Sequence, residues 1–378
     1  ANAILGHLPN GVNAQPLWGA RGVLAYLNDS QVEYLRQSSS GVVVEDCPEF
    51  LPGAPYQEAC SQADVQSSKP APVPWNLAQS GAYALHTARN LTGRGVMVSV
   101  LGYDLSHSHM SLVGRIKHFR KFAPAPGRTT QSIDDLLLIH PLGILAGTHP
   151  NQLLGVAPEV ELALATVQRG PVSVPNIMYA IQWLMEPSPD KKPAALFLAV
   201  DFVGQAPRPL RELLNSCRTA GILPVAAAGN NPDRITGMGA LPEVVTIAAL
   251  DQWKNRAPFS GQGPVVVDGF PFNKPDFSEP GLSIFGPSYE NGAFRYGSGT
   301  LQSAAHFVGI WALMKEARPA EELSSMLSAL ATTSLDIGPS GNDSQTGLGL
   351  INPTAALYAL ENPLPPATYS LRVPARKN

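Results

Sequence analysis

Short apolar runs alternate with longer amphipathic segments over most of the chain. Runs of apolar residues bounded by glycine, proline or polar residues predict buried strands at Val96–Leu101, Leu162–Thr166, Ala195–Val200 and Pro224–Ala228. The segments between them are longer, and their apolar spacing predicts helices at Ile133–Gly147, Val174–Met185 and Pro209–Ala220. This alternation predicts an α/β fold: a doubly wound, mainly parallel sheet with helices on both faces.

The pattern near the N-terminus is different and predicts a separate small α+β unit over residues 1–68. Apolar runs predict strands at Gly22–Leu27 and Gly41–Glu45. Between them, Asn28-Asp29-Ser30 supplies a helix N-cap, and Gln31–Gln37 has the spacing of a short helix. The residues before Gly22 show no clear helix pattern.

Proline marks the boundaries between these units. The segment Ser61–Val73 is polar and then proline-rich, as is typical of an exposed linker. We therefore expect a main domain over residues 69–360. A tail over residues 361–378 carries four prolines, and we expect it to be a surface segment.

Composition narrows the classes of function. Hydrophobic residues make up 44 % of the 378 residues and charged residues only 15 %, so a large core is available. The formal net charge of −3 and the lack of a basic run argue against nucleic-acid binding. No apolar run is long enough to predict a membrane span. No glycine loop or dinucleotide motif predicts a cofactor.

Several motifs occur in an order that resembles one protein family. The segment Gly299-Thr300-Leu301-Gln302-Ser303-Ala304-Ala305-His306-Phe307-Val308-Gly309 is similar to the nucleophile segment of subtilisin-like serine proteases (subtilases, peptidase S8). Other similar segments are Gly155-Val156-Ala157-Pro158, Val225–Asn230, Ala257–Ser260, Glu279-Pro280-Gly281 and Gly347–Asn352. These landmarks run in family order from about Val73 to Leu360, so the resemblance implies a subtilisin-like fold.

The same resemblance implies that the three catalytic positions are degenerate. The family's carboxylate falls at Gly102, its imidazole at Pro141 and its nucleophilic hydroxyl at Leu301. Glycine, proline and leucine cannot form the hydrogen-bonded catalytic triad of carboxylate, base and nucleophile. We therefore expect no catalytic residues and no peptidase activity.

A displaced site is the alternative. It would use His140, Asp104 and either Ser298 or Ser303. His140 is expected to flank the N-terminus of a helix whose first turn contains Pro141. Asp104 is expected in a solvated loop, and Ser303 is expected to point away from Leu301.

Asn230 matches the family's oxyanion donor. Either it retains that role, or the turn after Gly229 needs an asparagine for its own conformation.

The substrate cleft also departs from the family pattern. Phe202 stands where the specificity strand normally has a small residue, and it would fill the pocket. Pro171 lies on the edge strand that should pair with substrate, where it removes one N–H donor. We expect the cleft to be blocked.

Other chemistry-bearing residues suggest no further site. Asp104, His107 and His109 form a cluster, which we interpret as a solvated loop and not as a metal site. Cys47 and Cys60 flank a Pro/Gly loop and could pair in an exported protein, leaving Cys217 as a buried thiol.

The residues and the resemblance together favour a secreted, periplasmic or extracellular pseudoprotease. It would bind a protein partner, such as an active protease or its substrate, as a regulator, chaperone or scaffold. The competing functions are a hydrolase that uses the displaced site, or an unrelated activity in the same cleft. Residues 1–68 resemble part of a subtilase propeptide, and we expect this unit to stay uncleaved and docked.

Overall fold

The computed structural model describes residues 2–5, 8, 12, 14–20, 22–38, 43–45, 49–52, 73–103, 109–122, 136–167, 172–200, 202–203, 206–288 and 292–362. The helices are α1 (Asn2–Leu5), α2 (Asp29–Ser38), α3 (Trp75–Gln79), α4 (Ala82–Arg89), α5 (Leu136–Ala146), α6 (Val174–Met185), α7 (Arg208–Thr219), α8 (Thr300–Ala317), α9 (Leu323–Thr333) and α10 (Pro353–Glu361). The strands are β1 (Ala14–Leu17), β2 (Gly22–Ala25), β3 (Glu49–Pro52), β4 (Met97–Tyr103), β5 (Ile116–Phe122), β6 (Glu161–Val167), β7 (Val172–Ser173), β8 (Ala195–Ala199), β9 (Phe202–Val203), β10 (Leu223–Ala227), β11 (Val245–Leu250), β12 (Val265–Val267), β13 (Phe270–Phe272), β14 (Phe277–Pro280), β15 (Ile284–Pro287) and β16 (Phe294–Gly297).

The centre of the fold is a seven-stranded sheet with the order β14-β11-β10-β8-β4-β6-β5. All of its neighbouring strands are parallel. The four strands predicted from the apolar runs are β4, β6, β8 and β10, each within two residues of the expected bounds. The predicted α/β class and parallel sheet are confirmed.

Helices cover both faces of this sheet. On one face α8 is buried over most of its length and packs with β8, β10 and β11 around a large apolar core. On the other face α6 and α7 pack against a second core that includes Leu101, Leu198 and Met238. Because parallel strands are buried on both faces, they carry the continuous apolar runs that the sequence displays. Among the described residues, no helix is both long and apolar enough to cross a membrane.

The N-terminal unit contains the predicted strand and helix, and it differs from prediction elsewhere. Asn28 caps α2: its Oδ1 accepts from the Gln31 backbone N–H at 2.9 Å, and the Gln31 side chain accepts from the Asn28 N–H at 2.9 Å. The predicted strand Gly41–Glu45 was wrong over residues 43–45, which are irregular, and its first two residues lie outside the described part of the chain. Among the described residues, the next strand after α2 is β3. A four-residue helix, α1, precedes β1, where no helix was expected.

The N-terminal unit docks on α6 and α7. Leu17 and Ala20 are buried in the second core, with Leu24 packed against it. The Gly19 carbonyl accepts a hydrogen bond from the Ser216 hydroxyl on α7. Gly19 itself is buried, and a Cβ at that position would overlap Leu213. The contact therefore requires the absence of a side chain at residue 19.

We expect Gly19→Asp to undock the N-terminal unit, because it places a carboxylate in a buried apolar contact. The change should weaken docking by about 3–5 kcal/mol, the scale of an uncompensated buried charge. Limited proteolysis should then release residues 1–38 at least tenfold faster than in the wild type. Gly22→Asp is the matched control, since a Cβ at Gly22 would meet only the Ala20 carbonyl at 3.7 Å. Equal cleavage rates in the two variants would contradict this docking.

Candidate functional site

Gly102 lies near the carboxyl end of the central strand β4. It is opposite Thr166 on β6 and Ala199 on β8, so its backbone is fixed on both sides. A Cβ at Gly102 would lie 2.5 Å from Cδ2 and 2.8 Å from Cδ1 of Leu138. Leu138, on α5, therefore occupies the space that a side chain at residue 102 would need.

The helix α5 corrects the sequence-based placement of His140 and Pro141. The apolar run before His140 extends the helix, so it begins at Leu136 and Pro141 lies in its interior. Proline there removes the backbone hydrogen bond to Leu137. His140 is consequently not a flanking residue but a buried residue in the middle of a helix, with 2 % of its surface exposed.

The imidazole of His140 is neutral and enclosed. Burial, and secondarily the charge of Arg295, lower the pKa of His140 to about 4, with nearby backbone groups partly opposing this shift. Its Nδ1 accepts from the Gln302 side chain at 3.4 Å, and its Nε2 has no hydrogen-bond partner among the described residues. The ring lies against Gly286 and Gly297, where an added Cβ would approach Nε2 to 2.8 and 2.9 Å.

The first turn of α8 carries Leu301, with Ser298 and Ser303 on either side. Leu301 is half-buried and packs against the first core. The Ser298 hydroxyl accepts from the Ser283 backbone N–H at 2.9 Å. The Ser303 hydroxyl is buried against Gly281 and has no partner among the described residues. The structure thus brings His140 and the two serines into one region, with no hydrogen bond between His140 and either hydroxyl.

Asn230 connects the end of β10 to the start of α8. Its Oδ1 accepts from the backbone N–H and from the hydroxyl of Thr300, both at 3.0 Å. These bonds satisfy one of the free N–H groups at the N-terminus of α8, whose N-cap residue Gly299 has no side chain to do so. The side chain therefore has a structural partner in the adjacent helix.

His306, one helical turn after Gln302, was not singled out from the sequence as a site residue. It is fully buried, its Nδ1 donates to the Gln302 carbonyl at 2.8 Å, and its Nε2 accepts from Asn76 at 2.8 Å. Burial lowers the pKa of His306 to about 4. Both nitrogens are satisfied, so the residue joins α8 to α3 as a neutral structural group.

A strand of the N-terminal unit pairs with two short strands of the main domain. β3 lies between β7 and β9 and is antiparallel to both. Phe50 pairs with Val172, and Pro52 pairs with Phe202. These partners belong to the two strands that the sequence placed at the edges of a substrate cleft. Phe202 is fully buried in the second core.

Other predicted residues have simpler outcomes. His109 is buried rather than solvated: its Nδ1 accepts from the Ser111 N–H at 3.1 Å, and its Nε2 donates to the Ala293 carbonyl at 2.9 Å. Cys217 is a free buried thiol whose pKa burial raises to about 12. The remaining predicted residues lie outside the described part of the chain: Asp104, His107, Pro171, Cys47 and Cys60.

A model of the subtilase family of peptidases (peptidase S8) matches residues 93–349. The matched residues include all seven strands of the central sheet and the helices from α5 to α9. The chain belongs to the subtilase family. Its seven-stranded parallel sheet with helices on both faces agrees with that membership.

This subtilase is similar to several bacterial proteases. It is 28 % identical to M-protease of Shouchella clausii over 82 % of this chain and 76 % of the relative. It is 28 % identical to Subtilisin Savinase of Lederbergia lenta over 75 % of this chain and 98 % of the relative. It is 27 % identical to Minor extracellular protease Epr of Bacillus subtilis over 69 % of this chain, which matches only 38 % of the length of Epr.

Proposed function

We propose that this subtilase is a pseudoprotease, a catalytically inactive member of its family that acts by binding a protein partner. The observation that carries the proposal is the packing at Gly102. The family position of the catalytic carboxylate has no side chain, and Leu138 fills the space beside it. Without that carboxylate, nothing fixes the tautomer of a catalytic imidazole.

The other two catalytic positions support the same proposal. Pro141 has no group that can accept a proton, and Leu301 has no nucleophilic atom. The nearby His140 is a poor substitute base, because its Nδ1 is engaged by Gln302 and its Nε2 is enclosed by glycine backbone. Asn230 in this proposal is retained for its bonds to Thr300, not for stabilising an oxyanion.

The N-terminal unit is part of the proposed function. Active subtilases remove such a unit by self-cleavage, a reaction that requires the nucleophile absent at Leu301. The unit over residues 1–68 then remains attached and keeps β3 at high effective concentration beside β7 and β9. The cleft is occupied in cis, so the partner binds an outer surface of the main domain, residues 69–360, as expected of a regulator, chaperone or scaffold. The similarity to an extracellular protease supports export of the protein.

Fluorophosphonate labelling tests the loss of activity, because this probe reacts with activated serines. We expect no labelling above a heat-denatured control and no hydrolysis of casein. Leu301→Ser should remain unreactive, since the base and its orienting carboxylate are also missing. Wild-type labelling that is lost in Ser298→Ala or Ser303→Ala would overturn the proposal and establish the displaced site.

A further inference from the structure

A cavity of about 510 Å³ lies away from the candidate site, where the N-terminal unit meets the main domain. Three elements form its walls. The first wall consists of β1 and Trp18, which follows it. The second wall is the end of β5. The end of α6 supplies the third. The lining residues from the main domain include Arg120, Phe122, Gln182, Trp183 and Glu186.

Aromatic rings form much of the cavity surface. The rings of Phe122 and Trp183 are 6.3 Å apart and inclined at 56°. The Arg120 guanidinium lies 5.0 Å from the centre of the Phe122 ring, which is a cation–π arrangement. Trp18 also lines the cavity and is 47 % exposed. Such rings attract cationic groups through their negative faces.

Two acceptors follow each other along the α6 wall. The side-chain Oε1 of Gln182 is buried and has no hydrogen-bond partner among the described residues. Glu186 directly follows the last residue of α6 and is exposed, so its carboxylate adds negative charge at the same wall. A buried acceptor without a donor is unfavourable, and a ligand that supplies an N–H group would remove that cost.

We propose that this cavity binds a guanidinium or primary ammonium group on an apolar stem, as in an arginine or lysine side chain. Because Arg120 already covers the Phe122 ring, the rings of Trp18 and Trp183 hold the stem and the cation of the ligand. Gln182 accepts an N–H bond, and Glu186 supplies the opposite charge. A quaternary ammonium has no N–H for Gln182 and is the poorer ligand. Arg120, on the β5 wall, pairs with a carbonyl or carboxylate oxygen of the same ligand.

Binding at this cavity couples to docking of the N-terminal unit. One wall belongs to that unit and the others to the main domain, so the site is complete only in the docked state. A ligand that binds one state and not the other shifts the equilibrium toward the state that binds it. The ligand therefore holds the N-terminal unit, and with it β3, in place.

Calorimetric titration of the full chain tests the proposal with three probes: N-acetyl-arginine amide, agmatine and N-acetyl-citrulline amide. Citrulline has the shape of arginine without its charge, so we expect it to bind at least tenfold more weakly. If the arginine amide binds more tightly than agmatine, the natural ligand is a peptide side chain. If agmatine binds more tightly, the natural ligand is a free amine. Equal binding of arginine and citrulline, or no binding of either cation, overturns the proposal.

Variants locate the site. Gln182→Met keeps the volume and removes the acceptor, and Glu186→Gln removes the charge. Each should weaken the binding of N-acetyl-arginine amide at least threefold, with a melting temperature in the absence of ligand that is no lower than that of the wild type. Asp190→Asn is the matched control, since it removes an exposed carboxylate nearby that does not line the cavity. An equal loss in Asp190→Asn would show that binding is a general charge effect and would overturn the proposal.

Discussion

Gly102→Asp, which places a carboxylate at the proposed family position, is expected to destabilise the fold by about 4–8 kcal/mol. Even the Cβ of the new side chain would come within 2.5 Å of Leu138, and overpacking of this kind costs about 1–3 kcal/mol. The carboxylate would also be enclosed between two buried strands, and an unpaired buried charge costs several kcal/mol more. Chemical denaturation at neutral pH measures the loss.

Leu138→Ala separates the two contributions. Alone it should cost about 2–5 kcal/mol, because it leaves a cavity. The double variant Gly102→Asp/Leu138→Ala should lose less stability than the summed losses of the two single variants, by at least about 1 kcal/mol. The smaller side chain at residue 138 makes room for the aspartate, and the aspartate fills part of the cavity that the alanine leaves. Gly102→Ala, which adds only the Cβ, should fall between wild type and Gly102→Asp. A Gly102→Asp protein that melts at the wild-type temperature would show that the carboxylate site is still open.

The parallel sheet was predictable because its strands are buried on both faces, which leaves continuous apolar runs in the sequence. The order of motifs then identified the family, and the proposal that Gly102, Pro141 and Leu301 are degenerate catalytic positions rests on that alignment of motifs. Two sequence signals disagreed about helix α5. The apolar run predicted a helix over Ile133–Gly147, whereas the preference of proline for a first turn placed Pro141 at the start of the helix. The structure agrees with the apolar run, because α5 begins at Leu136 and Pro141 lies in its interior.

The features that could not be predicted depend on contacts between residues that are distant in the sequence. The packing of Leu138 on Gly102 joins β4 to α5, and strand β5 lies between these two elements in the sequence. The pairing of β3 with β7 and β9 depends on how the N-terminal unit docks, and docking depends on Gly19 having no side chain. Periodicity reports which face of an element is buried, but not which partner buries it.

Glu279 is a second feature that local sequence did not reveal. It lies on β14, opposite Ala249 of β11, on the same face as Phe277. It is fully buried, and neither carboxylate oxygen has a hydrogen-bond partner among the described residues. Burial raises the pKa of Glu279 well above its usual range, with the nearby backbone of Ile351 only partly opposing this. The side chain is therefore held as a neutral acid.

Glu279→Gln is expected to become progressively more stable than wild type as the pH rises. The unfolded carboxyl ionises near pH 4.5, whereas the folded one stays protonated, so wild type loses about 1.4 kcal/mol of stability per pH unit above 4.5 until the folded group ionises. His140 and His306, with lowered pKa values, produce the opposite trend between about pH 4 and 6.5, but equally in both proteins. The difference between the two denaturation curves at pH 4.5, 5.5, 6.5 and 7.5 therefore isolates Glu279. Exposed Glu322→Gln should give no such divergence, and a constant difference for Glu279→Gln would mean that the carboxyl ionises alike in both states.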